Sequence, residues 1–339
     1  MGKKGGRGSE RALVVGWSLK FVHCSQTHPT SGLKFLFPPV KGRRVNQAFI
    51  LGAGLGNRLR PLTDRLPKPL VPLFHRPLVE WAMAACEQAG IKRFAINTHH
   101  LPAAWDDFGA GHPVTIFHEP ILLETGGGLK NIAAWMGGNS LLVHNGDIFS
   151  TLPLEKLIAA HEASGLPVTL AVRSEGPAQH IALDPSGTRV TDIHKLLGRT
   201  DGNHLFTGIY CVSPSFLEMI PAAQKISVIP AFLELAIAGQ LGAILLDDGV
   251  WLDLGDRESY LKAHRELDLG PAIHPQASVA AGAVVERTVV GPGAVIETGA
   301  VVRDSVIWPG GRVGGDAVLD RCIVFSTTLA SGCHQDRDL

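Results

Sequence analysis

An internal repeat near the end of this 339-residue chain restricts its fold more than any other feature. Residues 287–290, 304–307 and 321–324 read RTVV, DSVI and RCIV and follow one another at steps of seventeen residues. Apolar residues recur at intervals of six, six and five, at Ile273, Val279, Val285, Val290, Ile296, Val302, Ile307, Val313, Leu319 and Val324. Three short strands per coil would return each of these side chains to one inner axis. The repeat therefore predicts about three coils over residues 271–330.

This pattern resembles the hexapeptide left-handed β-helix. A small irregular β domain is the alternative, but the period recurs without a break. Hexapeptide domains are often acyltransferases, yet no evident catalytic histidine lies within these coils. The resemblance therefore implies a role in oligomerisation or regulation, and we expect a homo-oligomer formed through this domain. Residues 331–339 are expected to form a tail beyond it.

The first 45 residues form a basic segment with a composition of its own. A single acid, Glu10, stands among the cations Lys3, Lys4, Arg7, Arg11, Lys20, Lys34, Lys41, Arg43 and Arg44. The first apolar run, residues 12–15, is shorter than a signal-peptide core of roughly 7 to 15 residues. We expect a poorly ordered extension over residues 1–45, or a start of translation placed too early.

Charge and cysteine content restrict the partners of the chain. Lys and Arg number 31 and Asp and Glu number 31, so no net charge attracts nucleic acid or an anionic membrane surface. The five cysteines contain no CxxC pair, which argues against a zinc knuckle or a disulfide framework and suits a reducing cytoplasm. The most apolar long stretch, residues 232–246, is interrupted by Glu234 and Gln240 and is too short to span a bilayer. We therefore expect a cytoplasmic protein with small-molecule partners.

Strand-like and helix-like segments alternate between residues 46 and 268. Apolar runs predict strands at 48–51, 94–97, 114–117 and 141–144, and periodic segments predict helices at 78–89 and 129–136. This alternation predicts an α/β domain with a mixed, mostly parallel, Rossmann-like sheet and helices on both faces. In such sheets ligands bind beyond the carboxyl ends of the strands, so the residues that follow each strand are the candidates for a site.

A glycine loop with a cationic continuation follows the first strand. It comprises Gly52, Gly54, Gly56, Arg58 and then Lys68 between two prolines. Glycines let backbone N–H groups approach phosphate oxygens, and the two cations can neutralise phosphate charge. The loop lacks the last glycine of a dinucleotide fingerprint, because Asn57 stands there, and it lacks the Gly-Lys-Ser/Thr ending of a P-loop. The cations are therefore its informative part.

Two aspartates occupy similar positions at the ends of apolar segments. Asp147 follows the strand at 141–144, and Asp253 closes the segment 250–253 before a helix that starts near Arg257. Either acid alone could be a helix cap. A pair at the carboxyl edge of a sheet can hold Mg²⁺ against phosphate oxygens, and we expect that role for both.

The glycine loop, Arg58 and the Pro-Lys-Pro segment around Lys68 together resemble the signature of the sugar-1-phosphate nucleotidyltransferases, over about residues 48–267. The resemblance implies that Arg58, Lys68, Asp147 and Asp253 are the catalytic residues, with Mg²⁺ on the two aspartates. It assigns nucleotide binding to Leu51, Gly52, Ala53, Gly54, Gly56, Arg58, Glu124, Gly126 and Gly127. It assigns sugar-phosphate binding to Lys68, Asn145, Lys195, Thr207 and Gly208.

Two of these assignments rest on weaker matches. Residues 118–128 look like the base-recognition loop of the family, in which Glu124 could accept from a base N–H group; the alternative is a glycine-rich helix start capped by Thr125. The family's Glu-Lys-Pro segment is replaced here by Asp-Ile-His-Lys-Leu at 192–196, which keeps Lys195 but puts the sugar hydroxyl contacts in doubt.

The implied reaction joins a nucleoside triphosphate to a sugar 1-phosphate and releases pyrophosphate. Residues 97–99, 123–127 and 145–147 look most like the branch that uridylylates N-acetylmuramic acid 1-phosphate, which supplies cell-envelope polysaccharide, whereas the appended β-helix looks more like mannose-1-phosphate guanylyltransferases. Uridylyl and guanylyl transfer both stay open. The alternatives are a catalytically inactive sugar-nucleotide sensor or regulatory assembly subunit, and cytidylylation of choline phosphate.

Overall fold

The computed structural model of the chain describes residues 44–199 and 201–339. The basic extension expected over residues 1–45 lies outside the described residues except for its last two. Of these, Val45 is buried and begins the first strand that the structure describes.

The first domain is built from alternating strands and helices. Its strands are β1 (Val45–Leu51), β2 (Pro72–Leu73), β3 (Arg76–Pro77), β4 (Arg93–Thr98), β5 (Val114–His118), β6 (Ser140–Asn145), β7 (Ile148–Ser150), β8 (Val168–Arg173), β9 (Ile181–Leu183), β10 (Val190–Ile193), β11 (Leu205–Val212), β12 (Leu241–Leu245) and β13 (Trp251–Asp253). Its helices are α1 (Leu78–Gln88), α2 (Pro102–Gly111), α3 (Glu124–Asn131), α4 (Ala133–Met136), α5 (Leu154–Ser164), α6 (Pro214–Glu218), α7 (Ile229–Ile237) and α8 (Arg257–Glu266). Three short 3-10 turns follow β1, at Asn57–Leu59, Leu62–Asp64 and Lys68–Leu70.

A seven-stranded sheet in the order β12-β8-β11-β6-β1-β4-β5 forms the centre of this domain. Only β11 runs antiparallel to its neighbours in this sheet, which confirms the predicted mixed, mostly parallel architecture. Successive residues of β1 point to opposite faces: Phe49 packs in one buried apolar cluster, while Ala48 and Ile50 pack in the other. Both faces of the sheet are therefore covered, as expected for a parallel sheet.

The helix predicted at 129–136 begins earlier and is divided in two. Helix α3 starts at Glu124, a turn or more before the expected start, and Ile132 separates it from α4. The glycines at 126–128 are poor helix formers, so the sequence pattern did not predict a helix start before them. Tertiary packing buries all three glycines and overrides that propensity.

The C-terminal domain is a parallel β-helix, as the repeat predicts. Its strands are β14 (Ser278–Val279), β15 (Val284–Glu286), β16 (Val289–Val290), β17 (Val295–Ile296), β18 (Val301–Arg303), β19 (Val306–Ile307), β20 (Arg312–Val313), β21 (Val318–Asp320), β22 (Ile323–Val324), β23 (Leu329–Ala330) and β24 (Cys333–Gln335). They form three parallel sheets, one on each side of the coil, ordered β14-β17-β20-β23, β15-β18-β21-β24 and β16-β19-β22. The repeated apolar side chains from Val290 to Val324 fill the buried interior between these sheets.

Two details of the repeat differ from expectation. Ile273, expected on the inner axis, is 42% exposed; it lies at the first coil and bridges Val290 of the next, and no earlier coil covers it in the described part of the chain. The expected tail at 331–339 instead continues the coil: β24 pairs with β21, and Asp338 bridges Ile323. Cys333 lies opposite Val318, fifteen residues away, so the last step is shorter than the repeat that precedes it.

The two domains share buried apolar contacts. Leu59, Leu62 and Val71, from the turns after β1, pack in one cluster with Tyr260 and Leu261 of α8 and with Val306, Trp308 and Ile323 of the β-helix. The turns that follow the glycine loop are thus held between helix α8 and the β-helix. None of the helices in the described part of the chain is long and apolar enough to cross a membrane.

Candidate active site

Three neighbouring parallel strands end at one edge of the central sheet. In the register of the sheet, Leu51 of β1 lies opposite Asn97 of β4 on one side and Asn145 of β6 on the other. The glycine loop after Leu51 and the acid Asp147 after β6 therefore emerge side by side. This placement follows from the parallel direction of the strands, as the sequence predicts.

Gly52 is required where the loop leaves the strand. A Cβ atom at this position would lie 2.7 Å from the backbone oxygen of Asn97 and 2.9 Å from the side chain of Ile96. The N–H of Gly52 donates to Asn97 Oδ1 at 2.8 Å. By contrast, nothing lies within 4 Å of the Cβ position of Gly54, so the loop is open to solvent two residues after Gly52.

Four charged side chains meet beyond this edge. Lys68 Nζ lies 2.7 Å from Asp147 Oδ2 and 3.7 Å from Asp253 Oδ1. Arg58 Nη2 lies 4.0 Å from Asp253 Oδ2. The Lys68 side chain is only 7% exposed, whereas that of Arg58 is 68% exposed and extends into solvent. All four residues that the sequence singled out for catalysis are thus within one cluster, with a buried cation between two carboxylates.

Local pairing brings the two aspartates together. Strand β13 runs antiparallel to β7, with Asp253 opposite Ile148, and the N–H of Leu254 donates to the carbonyl of Asp147 at 3.2 Å. Asp256, three residues further on, instead caps helix α8 by accepting from the N–H of Ser259. The chain therefore directs Asp253, rather than Asp256, towards Lys68.

Asp253 combines a partly buried carboxyl with a perturbed pKa. Burial raises the pKa of its carboxyl above the usual range, and the negative charge of Asp147 raises it further, while Lys68 and Arg58 lower it in part. Its Oδ1 atom is buried without a hydrogen-bond partner, since Lys68 Nζ at 3.7 Å is too far to donate to it. A buried carboxylate oxygen in this state favours an additional cation.

The predicted base-recognition segment packs against the loop around Ile226, and nucleotide binding by Gly126 and Gly127 stays a prediction. The N–H groups of Gly126 and Gly127 both donate to the carbonyl of Ile226, at 2.8 and 3.0 Å, so the backbone that comes close to these glycines belongs to the chain itself. Thr125 does not cap the helix; its hydroxyl accepts from the N–H of Val228. Glu124 is half-buried, with Oε1 3.7 Å from Lys225 Nζ, and its contact with a base stays a prediction.

Thr207 makes internal hydrogen bonds, and its contact with the sugar phosphate stays a prediction. It is fully buried, and its hydroxyl donates to the carbonyl of Ala171 at 2.8 Å and accepts from the N–H of Ile209. Its carbonyl accepts from Trp251 Nε1 at 2.8 Å, which fixes the strand that ends at Asp253. The hydroxyl of Thr207 therefore bonds to backbone groups, and its carbonyl holds the Trp251 side chain two residues before Asp253.

The residue after it, Gly208, makes room for Asn145. Its φ of +74° lies in the left-handed region, and an added Cβ atom would be 2.5 Å from Asn145 Nδ2. Asn145 therefore packs directly against a glycine at the end of β6. Its role as a sugar-phosphate ligand stays a prediction.

Lys195 forms its ion pair outside the charged cluster. Its side chain is 56% exposed, and its Nζ pairs with Asp201 Oδ1 at 2.8 Å, which raises the pKa of the lysine. Asp192 is fully buried and accepts three backbone N–H groups from its own loop, so it organises the turn that carries Lys195. The structure does not bring Lys195 into contact with Lys68 or Asp147, and its role also stays a prediction.

The amino-acid sequence matches known families over both domains. Residues 47–269 match the nucleotidyl transferase family, and residues 265–330 match the family described as GlmU-like, C-terminal hexapeptide. The first match covers more than half of the chain. The chain belongs to the nucleotidyl transferase family, among its sugar-1-phosphate nucleotidyltransferases.

Similar proteins span both of the branches expected. A mannose-1-phosphate guanylyltransferase of Mycobacterium tuberculosis is 28% identical over 72% of this chain and 74% of its own length. An N-acetylmuramate alpha-1-phosphate uridylyltransferase of Neisseria meningitidis serogroup B is 29% identical over 62% of this chain and 93% of its own length. The chain spans 64% to 75% of the length of two Arabidopsis thaliana relatives.

Solved structures share the fold. HddC from Yersinia pseudotuberculosis matches with a TM-score of 0.55 and 24% identity over 65% of this chain and 98% of that one. A UDP-glucose pyrophosphorylase from Acinetobacter baumannii matches with a TM-score of 0.54 and 19% identity over 65% of this chain and 92% of that one. At these identities the likeness concerns the architecture alone.

The residues of this nucleotidyltransferase fit a divalent metal, which the family generally uses. In the described residues, no group of three or more His, Cys, Asp or Glu side chains is arranged to hold a metal by itself. Mg²⁺ is usually bound by one or two carboxylates plus substrate phosphates, so a pair of aspartates is the expected donor set. Asp147 and Asp253, with the unpartnered Oδ1 of Asp253, meet that requirement.

Sequence reasoning missed a buried network behind the nucleotidyltransferase site. Glu119 is 1% exposed and accepts from Asn97 Nδ2 at 2.8 Å and from the N–H of Leu123 at 2.9 Å. Asn97 in turn accepts from Gly52, so one carboxylate connects the glycine loop to the start of α3. The signal available in the sequence was the position of Asn97 at the end of a strand beside the loop.

Proposed function

We propose that this chain catalyses attack of a sugar 1-phosphate on the α-phosphate of a nucleoside triphosphate, with release of pyrophosphate. The observation that carries the proposal is the cluster in which buried Lys68 lies between Asp147 and Asp253, with Arg58 extending from the glycine loop. Such a transfer requires alignment and charge neutralisation of phosphates more than a nucleophile from the protein.

Each charged residue has a role in this proposal. Lys68 holds a phosphate oxygen at the reacting centre, because its buried Nζ can contact only what enters the site. Arg58 is exposed and binds the outer phosphates, where it stabilises the charge that develops on departing pyrophosphate. A sugar phosphate is already anionic near neutral pH, so the site needs no general base.

Asp147 and Asp253 are proposed to hold Mg²⁺. When bound, the ion would neutralise phosphate charge and favour the in-line arrangement of the two substrates. The aspartates contribute their charge and direction, and Trp251, anchored on the carbonyl of Thr207, keeps Asp253 in place. Lys68 contacts the same two carboxylates, and in this proposal it also binds a substrate phosphate.

The names of the relatives favour guanylyl or uridylyl transfer, to a hexose 1-phosphate or to N-acetylmuramic acid 1-phosphate. A contribution to cell-envelope polysaccharide in the cytoplasm is the corresponding cellular role. The sugar acceptor, the cellular role and the choice of base are all proposals.

The β-helix is proposed to form homo-oligomers through its outer face. Val284, Val301 and Val318 lie side by side on β15, β18 and β21, and the first and last are 38% and 41% exposed. An apolar row on the surface favours association. Gel filtration with light scattering of Val318→Glu should show a smaller assembly than the wild type; an unchanged mass would contradict this assignment.

The experiment that tests the function is a substrate matrix. The purified protein is incubated with Mg²⁺ and each of four nucleoside triphosphates against a set of sugar 1-phosphates, while pyrophosphate release is followed. Release with one pairing would support the proposal and identify the substrates. Silence across the matrix, with nucleotide still bound, would favour the alternative of a sugar-nucleotide sensor.

A further inference from the structure

A buried chain of hydrogen bonds joins the β-helix to the loop that carries Lys68. Trp308 Nε1 donates to the hydroxyl of Tyr260 at 3.0 Å, and that hydroxyl donates to the carbonyl of Pro72 at 2.6 Å. Tyr260 is 1% exposed and Trp308 is 5% exposed. Pro72 lies only four residues after Lys68, and the intervening turn is closed by the N–H of Val71 on the carbonyl of Lys68.

Tyr260 also contacts the surroundings of the lysine itself. Lys68, Leu59, Val71, Leu254 and Tyr260 line one narrow, mostly apolar crevice. The aliphatic part of Lys68 is therefore packed among apolar side chains, with Tyr260 on one side. A shift of the Tyr260 ring would change the position of Nζ, because dense packing transmits small displacements.

The β-helix supports the arginine side of the site in the same way. Leu59, next to Arg58, packs in the cluster that contains Val306 and Ile323 of the β-helix. Further along this segment, Arg65 Nη1 donates to the carbonyl of Phe325 at 3.3 Å, and its guanidinium lies 4.9 Å from the Phe325 ring centre. Both cation-bearing turns after the glycine loop thus rest on the C-terminal domain.

We propose that Tyr260 and Trp308 are positioning residues for Lys68 and Arg58, so that the β-helix sets the alignment of the phosphate-binding cations. A hydroxyl is needed at residue 260 because one O–H group must donate to Pro72 while its oxygen accepts from Trp308. Without it, a buried carbonyl and a buried indole N–H lose their partner, and the turn before Pro72 loosens. The effect on turnover rests on the proposed function, whereas the effect on Lys68 does not.

The test compares Tyr260→Phe and Trp308→Phe with Val313→Ala in the full-length protein. The first two variants remove one hydrogen-bonding group each and keep an aromatic ring. Val313 is fully buried in the β-helix interior and has no contact with the Tyr260 cluster, so its truncation matches a general loss of stability. Circular dichroism verifies that each variant is folded.

The first readout is the reactivity of Lys68 towards acetic anhydride, followed by peptide mass spectrometry. Lys262 of α8, which is 55% exposed, is the internal reference. We expect acetylation of Lys68 relative to Lys262 to rise by about three-fold or more in both aromatic variants, because the turn opens locally. It should stay at the wild-type level in Val313→Ala. Unchanged reactivity in Tyr260→Phe and Trp308→Phe, or an equal rise in Val313→Ala, would overturn the proposal.

The second readout is turnover with the substrate pair found in the matrix. Misplacement of an aligned phosphate ligand should lower kcat by about ten-fold, while KM for each substrate changes by less than about two-fold. An equal change in Val313→Ala would assign the effect to stability and contradict positioning. If the wild type releases no pyrophosphate while Lys68 still becomes reactive, the proposed function fails and the positioning role stands.

Discussion

Replacing Lys68 by Met removes the cation between the two aspartates with little change of shape. The side chain is 7% exposed and its stem packs beside Leu59, Val71 and Tyr260. Met fills a similar unbranched volume, so the packing of this space is largely preserved. What is lost is one charge-assisted hydrogen bond to Asp147 at 2.7 Å and a longer ion pair with Asp253 at 3.7 Å.

The expected cost of Lys68→Met follows from these contacts. A hydrogen bond to a charged group contributes about 1.5–3 kcal/mol. The carboxylates of Asp147 and Asp253 are 34% and 39% exposed, so water screens part of the interaction. We therefore expect the free energy of unfolding to fall by about 2 kcal/mol at pH 8. Turnover should also be lost, if Lys68 contacts phosphate as proposed.

The pH dependence gives the prediction its sign. Burial and the charge of Asp147 raise the pKa of Asp253 in the folded protein, whereas Lys68 lowers it. An acid with a raised folded pKa keeps a proton that the unfolded chain has lost, so stability falls as the pH rises from about 3.9 through the folded pKa. Without Lys68 this pKa moves higher still. The difference in stability between wild type and variant should therefore grow with pH across that window.

The assay is urea unfolding followed by tryptophan fluorescence between about pH 4 and pH 8, with Lys262→Met as the matched control. Lys262 is 55% exposed and pairs with Glu266 at 3.9 Å, so its loss should cost less than about 0.5 kcal/mol at any pH. A Lys68→Met variant as stable as the wild type at pH 8 would refute the reasoning. A constant loss at every pH would refute the role given to Asp253.

Three further predictions concern residues around the site. Glu119→Gln should raise KM for the nucleoside triphosphate by about ten-fold. The reason is that Gln offers one acceptor oxygen, whereas the two carboxylate oxygens of Glu119 each accept from one N–H group. Unchanged steady-state kinetics would contradict this prediction. Gly208→Ala should lower the melting temperature and turnover together. The added Cβ atom would lie 2.5 Å from Asn145 Nδ2, and the residue has a left-handed φ of +74°. A variant with wild-type values would show that the close contact is dispensable. Burial lowers the pKa of His161 and His264 to about 4. The wild type should therefore lose stability as the pH falls from about 6.5 through 4, which thermal unfolding would measure. A melting temperature that does not change over this pH range would count against neutral buried imidazoles.

The features that could be predicted from the sequence are those determined by residues near one another in the chain. The seventeen-residue repeat determines the β-helix because each coil pairs with the next at a fixed step. The meeting of Lys68 and Asp147 follows from the carboxyl ends of the neighbouring strands β1 and β6, whereas Asp253 is brought to them by the pairing of β13 with β7. In both cases the residues that matter are close in sequence to the element that places them.

The features that the sequence did not reveal depend on partners far along the chain. The hydroxyl of Thr207 bonds to Ala171, 36 residues away, and nothing in a Thr-Gly-Ile segment indicates that choice. Glu119 bonds to Asn97 across two strands, and Gly126 is approached by residue 226 rather than by a ligand. The last coil was missed because its step shortens to fifteen residues at Cys333, so the period no longer detects it.

The most direct test of the central claim is pyrophosphate release by Asp147→Ala, with Asp248→Ala as the control. Asp248 is 81% exposed and, among the described residues, pairs only with Lys156, so its loss should leave turnover unchanged. We predict that Asp147→Ala lowers turnover by more than about a hundred-fold while sugar-phosphate binding weakens far less. Near-normal turnover by Asp147→Ala would contradict the assignment of this cluster as the active site.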